Sequence, residues 1–357
     1  MLTLRVISIA IGAILVALAL ADVFQSVIVP RAVGRRLRPS FYLSRTTWRI
    51  WPGLTWWVYP RDADKREDLL AMYAPLNLVL LLMFWSFLLL IGYGLMLWAL
   101  RDEIKPPLHT VFDAYYFAGA SFFTIGFGDF VGGSGVTRLI SLAAGASGFG
   151  VISTTTAYLF AIFGAFQTRE QFVVTVGARA GSPPSGVELL EIAQLTETVG
   201  DLSQLMRESQ RWAATLMETH LAYPVLAYFR SSHDYESWVG TLGTLLDAAT
   251  LLMCTVEGEH GQPKIFYNIG RHATYDLARY FRVSVRSDSP GIGKDEFEMA
   301  CERLQRAGYV LRDREQAWEK FAKLRIGYAA DLNALARFFQ TPPLQWVGDR
   351  SIISVPH

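Results

Sequence analysis

Residues 111–129 read Val-Phe-Asp-Ala-Tyr-Tyr-Phe-Ala-Gly-Ala-Ser-Phe-Phe-Thr-Ile-Gly-Phe-Gly-Asp, and the last six decide the fold. Gly126 and Gly128 occupy every second position. Glycine reaches backbone conformations closed to most L-residues, so consecutive carbonyls can point the same way. Thr124, Ile125, Gly126 and Phe127 would then present their carbonyls along one axis, with the Thr124 hydroxyl as an inner ring. The Ile125 and Phe127 side chains point away, and Asp129 stands at the outer mouth. Residues 109–123 read as a short helix. Asp113 lies in its first turn, suited to the positive end of the helix dipole.

Around this stretch lie three apolar runs, residues 6–29, 72–100 and 137–166. Each exceeds the roughly 20 apolar residues needed to cross a bilayer. The first, with Ala19-Leu20-Ala21, also has the form of a cleaved signal peptide. Cleavage would export nine basic residues: Arg31, Arg35, Arg36, Arg38, Arg45, Arg49, Arg61, Lys65 and Arg66. The positive-inside rule instead places loop 31–71 in the cytoplasm, with residues 1–30 as a true span entering from outside. This span lacks the repeated arginines of a voltage sensor. Asp22, near the cytoplasmic end of this span, reads either as a buried charge paired across helices or as an interfacial carboxylate meeting loop arginines. Residues 41–60 hold Trp48, Trp51, Trp56 and Trp57, which suits a segment on the inner leaflet touching anionic lipid.

Thr124–Asp129, set between two spans after a half-length helix, resembles the selectivity filter of the potassium channel family. The resemblance covers about a quarter of the chain and implies an outer helix (72–100), pore helix (109–123), filter (124–129) and inner helix (137–166). It implies potassium held by the backbone carbonyls of Thr124, Ile125, Gly126 and Phe127, which replace its water shell. Ser121 matches the family's hydroxyl three residues before the filter Thr. Phe123 departs from the usual Thr or Ser, and Phe127 from the commoner Tyr, whose phenol bonds the pore helix. One filter per chain and no internal repeat imply a homotetramer.

The upper part of the third run, residues 143–150, is dense in small residues that allow close helix approach. Gly148 fits either that packing or the hinge glycine frequent in inner helices of the family. Ser153, Thr154, Thr155 and Thr156 can line a wet cavity. Phe160, Phe163 and Phe166 can form a constriction or face lipid.

Gly181-Ser182-Pro183-Pro184 breaks the chain before a helical region within 167–357. One apolar stripe joins Leu195, Val199, Leu202 and Met206, and another joins Trp238, Leu242, Leu245, Ala249 and Leu252. Others run from Phe297 to Leu304 and from Phe321 to Phe339. About five helices are expected, with a short strand at 172–177. No G-x-G-x-x-G follows a strand, and Gly291-Ile292-Gly293-Lys294 is too short for a phosphate loop. His220, His233, His260 and His272 lack metal spacing. Glu257, Glu259 and His260 read as a charged turn. Residues 168–357 hold 20 Lys and Arg against 23 Asp and Glu, which gives no footprint for nucleic acid. Cys254 and Cys301 fall on apolar faces, and no nucleophile–base pair stands out.

The sequence therefore predicts an all-α membrane protein, not an enzyme and without a cofactor, in a bacterial inner membrane. Its expected role is passive potassium conduction, with the C-terminal region as the candidate for gating it. The alternatives are a weakly selective cation channel, or a membrane-anchored sensor or scaffold with a silent pore.

Overall fold

A computed structural model describes residues 2–29, 38–181, 183–233, 236–287 and 289–341. Arg31, Arg35, Arg36 and Ser182 lie outside the described residues. The chain is an all-α membrane protein. It divides into two compact units, residues 1–163 and 164–357. Among the described residues, three helical segments are long and apolar enough to cross a membrane, Thr3–Ile28, Ala63–Ala99 and Gly135–Ala180.

The first unit opens with α1 (Leu2–Val23), which continues as a π-helical turn, Phe24–Ile28. Then come α2 (Pro39–Val58), α3 (Ala63–Ala71) and α4 (Tyr73–Ala99). Inside a bilayer, helices gain little from hiding apolar surface from one another, so close packing must hold them. Gly12 and Gly92 provide it. A methyl on Gly12 would stand 2.5 Å from the Gly92 carbonyl oxygen, and one on Gly92 2.8 Å from that of Gly12. At the other end of α1, Asp22 is buried. Its carboxylate accepts the Ser40 amide at 3.1 Å, the Ser40 hydroxyl at 2.8 Å and the Trp85 indole N–H at 2.8 Å. Of the two readings the buried one holds: the Asp22 carboxyl joins α1, α2 and α4. Arg38 reaches Ser26 rather than Asp22, at 3.4 Å.

After α4, a two-residue strand β1 (Ile104–Lys105) pairs antiparallel with β2 (Val131–Gly132). Between them lie α5 (Val111–Phe122) and the 124–129 segment, so the pairing closes a loop around both. Helix α6 (Gly135–Ala180) starts just beyond and runs 46 residues. The strand expected at 172–177 is absent: this stretch is the last part of α6, and Val173 and Val176 are buried at helical spacing. The helix expected over 137–166 thus continues to Ala180, and the break expected at Gly181, at φ +80°, follows it directly.

The second unit holds seven further described helices, not five. They are α7 (Gly186–Leu195), α8 (Leu202–Ala222), α9 (Trp238–Cys254), α10 (Gly261–Tyr280), α11 (Lys294–Ala307), α12 (Arg314–Ile326) and α13 (Ala329–Phe339). The miscount has a local cause. Glu197, at φ +58°, splits the first stripe, leaving Leu195 and Val199 exposed while Leu202 and Met206 are buried. A break at Gly327 likewise divides the 321–339 stripe into α12 and α13. Helix α9 is buried on every face, as suits a helix apolar all round, and forms the centre of the unit. Its one carboxylate, Asp247, pairs with buried Arg325 at 3.0 Å and accepts the Tyr328 hydroxyl at 2.6 Å.

Candidate pore and filter

Helix α5 is fixed at its start by a capping box. The Thr110 hydroxyl accepts the Asp113 amide at 3.2 Å, and the Asp113 carboxylate accepts the Thr110 amide at 2.8 Å and that of His109 at 3.0 Å. Asp113 thus orients the short helix as well as complementing its dipole. At the other end, the Ala120 carbonyl accepts the amides of both Ile125 (2.9 Å) and Gly126 (3.2 Å), and that of Ser121 accepts the Thr124 amide at 3.0 Å. These amides are turned back toward α5. Residues 124, 126 and 128 all have positive φ: +56°, +63° and +81°. Glycine accounts for two of them; Thr124 is a β-branched residue held in a conformation it normally avoids. Among the described residues, none donates a hydrogen bond to the carbonyl oxygens of 124–127. A backbone carbonyl left without a protein donor requires water or a cation.

Phe127 stacks on Tyr116 with ring centroids 6.2 Å apart and planes within 5°, and Phe130 meets Tyr116 edge-on at 6.1 Å. The Asp129 carboxylate is the charged neighbour of the Tyr116 phenol. Ring contacts from Tyr116 therefore hold the mouth of the segment against the helix, where residue 127 offers no phenol. Tyr116 was not singled out in the sequence, because no spacing rule joins it to Asp129 without the returning loop. Gly148 of α6 backs the same structure: a methyl there would lie 1.8 Å from the Phe122 carbonyl oxygen. Tyr93 of α4 bonds Ser147 at 2.7 Å and the Ala143 carbonyl at 3.2 Å, linking the two long helices beside it.

The family model described as "Ion channel" matches residues 80–165, which contain α5, the 124–129 segment and the facing parts of α4 and α6. The chain carries an ion-channel domain of the two-transmembrane, potassium-channel-like family. A curated relative, "Uncharacterized membrane protein YdjJ" of Bacillus subtilis (strain 168), is 26% identical over 187 residues, 51% of this chain. The match spans about half of that relative, 54% of its length. No solved structure matches the chain.

Within the ion-channel domain the expected cavity residues differ in setting. Thr156 donates its hydroxyl to the Ile152 carbonyl at 2.9 Å, its own helix satisfying it. The Thr155 hydroxyl is buried without a hydrogen-bond partner, and Thr154 is half-buried. Phe123 is half-exposed and meets Phe122 edge-on at 5.1 Å. Phe160 is 72% exposed. Phe166 packs instead on Phe229 at 5.5 Å, within the second unit, so the three phenylalanines do not act as one set. Of the tryptophans on α2, Trp48 is buried and Trp51 donates to the Leu69 carbonyl at 3.0 Å, whereas Trp57 is 81% exposed. The Arg66 guanidinium lies 3.9 Å over the ring of Trp56.

Just past the ion-channel domain, Arg169 is buried, with donors to the Leu226 carbonyl at 3.0 Å and the Phe229 carbonyl at 2.8 Å, and it pairs with Glu170 at 2.9 Å. His220 faces it, Nε2 lying 3.5 Å from Nη1, while His220 Nδ1–H donates to the Leu216 carbonyl at 2.8 Å. Burial, then the nearby Arg169 charge, holds the imidazole well below its usual pKa, so it is neutral. His220 is a core residue packed on Trp238 with centroids 4.8 Å apart. Among the described residues, no three His, Cys, Asp or Glu side chains are grouped to hold a metal ion, Glu257, Glu259 and His260 included.

Proposed function

We propose that four copies of this chain form a potassium-selective pore that conducts passively and performs no enzymatic reaction. The observation that carries this is the alternation of positive φ at Thr124, Gly126 and Gly128, directly after a helix whose last-turn carbonyls, Ala120 and Ser121, take the amides of residues 124–126. In this reading the carbonyls of Thr124, Ile125, Gly126 and Phe127 replace the water of a dehydrated cation, and Asp129 draws cations to the mouth. One chain supplies one quarter of each oxygen ring. In a single copy Ile125 and Phe127 are 55% and 66% exposed, and Leu142 and Phe149 are 71% and 70% exposed; neighbouring copies and lipid would cover this apolar surface.

The N-terminus lies outside, and the second unit and the basic 31–71 segment lie in the cytoplasm of a bacterial cell. Exposed Trp57 and Ile50, with Arg45 and Arg49 on the same helix, support α2 lying on the inner leaflet against anionic lipid. Gating through the second unit, with bending at Gly148, completes the reading. Native mass measurement in detergent tests the assembly. A mass of four chains is expected, and a monomer or dimer would overturn it. Phe127 favours one other reading, a looser filter admitting sodium, because it lacks the phenol of the commoner Tyr. Reversal potentials in mixed salts separate the two.

A further inference from the structure

The second unit carries a groove of about 530 Å³ where the end of α9 meets the start of α10 and the outer face of α12. Its size falls within the roughly 300–1,000 Å³ typical of small-molecule sites. Met253, Tyr267 and Leu324 form its apolar part. Both Met253 and Tyr267 are themselves buried, and the Tyr267 ring is held by its hydroxyl, which donates to the Leu324 carbonyl at 2.9 Å.

Around this floor stand Lys264, Arg312, Lys320 and His260, opposed by Glu259 alone among the lining carboxylates. Such a cluster of cations stands out in a region that holds more acidic than basic residues. Two of the cations are held in place with donors to spare. Lys320 gives one N–H to the Met253 carbonyl at 3.0 Å and keeps two, and Arg312 gives one to the Gly258 carbonyl at 2.9 Å. Burial pushes the Cys254 thiol up to about 11, and Lys320 and Arg312 both pull against that rise, so their charges converge on the same end of α9. The Lys264 amide donates to the His260 carbonyl at 3.2 Å, while its ammonium makes no hydrogen bond or ion pair among the described residues. Gly261, the first residue of α10, also lines the groove, and His260 before it provides no side-chain cap. The first amides of that helix add donors to the cationic rim.

We propose that this groove binds a phosphate-bearing nucleotide, its phosphates on the Lys264, Arg312 and Lys320 rim and its base on the Met253, Tyr267 and Leu324 floor. The phosphates supply the charge that the rim lacks, and the base covers the one apolar surface beside it. The site is separate from the pore, so its occupancy is measurable whether or not the pore conducts.

The test is calorimetric titration of the detergent-solubilised full chain with ATP, and separately with inorganic pyrophosphate, at low and high salt. Saturable ATP binding that weakens as salt rises is expected, with pyrophosphate binding at least about tenfold more weakly. Lys264→Glu should weaken ATP at least about tenfold, since a charge-assisted contact is lost and a repulsion gained. Lys264→Gln should give a smaller loss. Arg306→Glu, an exposed charge on α11 outside the groove, should change nothing. Lys264 is exposed, so both variants should fold, which circular dichroism checks. No saturable binding at millimolar ATP would overturn the proposal. So would equal affinity for pyrophosphate, or equal losses in the Lys264 and Arg306 variants.

Discussion

A methyl group placed on Gly148 would sit 1.8 Å from the carbonyl oxygen of Phe122, far inside van der Waals contact. The inner-helix glycine and the last residue of the short helix are therefore in direct backbone approach. Gly148→Ala must push that helix end, and with it the start of the 124–129 segment. Overpacking of this kind costs about 1–3 kcal/mol. The variant should lose thermal stability and most ion flux, whereas a bend-only role would alter open probability alone. Gly150→Ala is the control, since nothing lies within 4 Å of a methyl there. Normal flux in Gly148→Ala would contradict the contact.

Tyr116 packs on Phe127 and Phe130 and places its phenol beside Asp129. Tyr116→Phe keeps the ring that stacks on Phe127 and removes only the hydroxyl. Its loss should loosen the outer end of the segment and raise sodium permeability several-fold relative to potassium. Reversal potentials measure this; an unchanged ratio would show that the hydroxyl does not govern selectivity.

Asp22 should be more than a surface charge. Asp22→Ala leaves the Ser40 amide and the Trp85 indole N–H buried without their acceptor. Each unsatisfied group costs about 1–3 kcal/mol. The melting temperature in detergent should fall by several degrees, with a smaller fall for Asp22→Asn, which keeps an acceptor. An unaltered melting temperature in Asp22→Ala would rule out the buried network.

His220 makes the second unit sensitive to acid. Its folded pKa lies below the ordinary value of 6.5. The unfolded chain therefore binds the proton more readily, and unfolding is favoured as protons become available. Stability should be full above about pH 6.5 and fall as pH drops below it toward the folded value. Thermal unfolding between pH 7.5 and 5.5 reads this slope, and His220→Gln should flatten it. A slope unchanged in that variant would assign the effect to other groups.

The sequence was most legible where the chemistry is local. Alternate glycines at 126 and 128 point to positive φ directly, and the apolar runs locate the three long helices, although the third runs well past residue 166, to Ala180. What stayed hidden depends on residues brought together from a distance. Tyr116 meets Asp129 only because the chain returns past the end of α5. Arg169 reads as a polar residue ending an apolar run, yet its donors go to carbonyls 57 and 60 residues away. Asp22 reads two ways because its partners, Ser40 and Trp85, carry no charge to mark them. Thr124 gave no sign of its positive φ, since side-chain type argues against it.

The most direct test of the central claim is ion flux through purified protein in liposomes, driven first by a potassium gradient and then by a matched sodium gradient. The account predicts barium-sensitive potassium flux, little sodium flux, and neither in Gly126→Ala, whose residue 126 must hold φ +63°. That conformation costs an alanine roughly 1–2 kcal/mol, enough to disturb carbonyl aim while membrane insertion persists. Equal potassium and sodium flux, or undiminished potassium flux in Gly126→Ala, would contradict it.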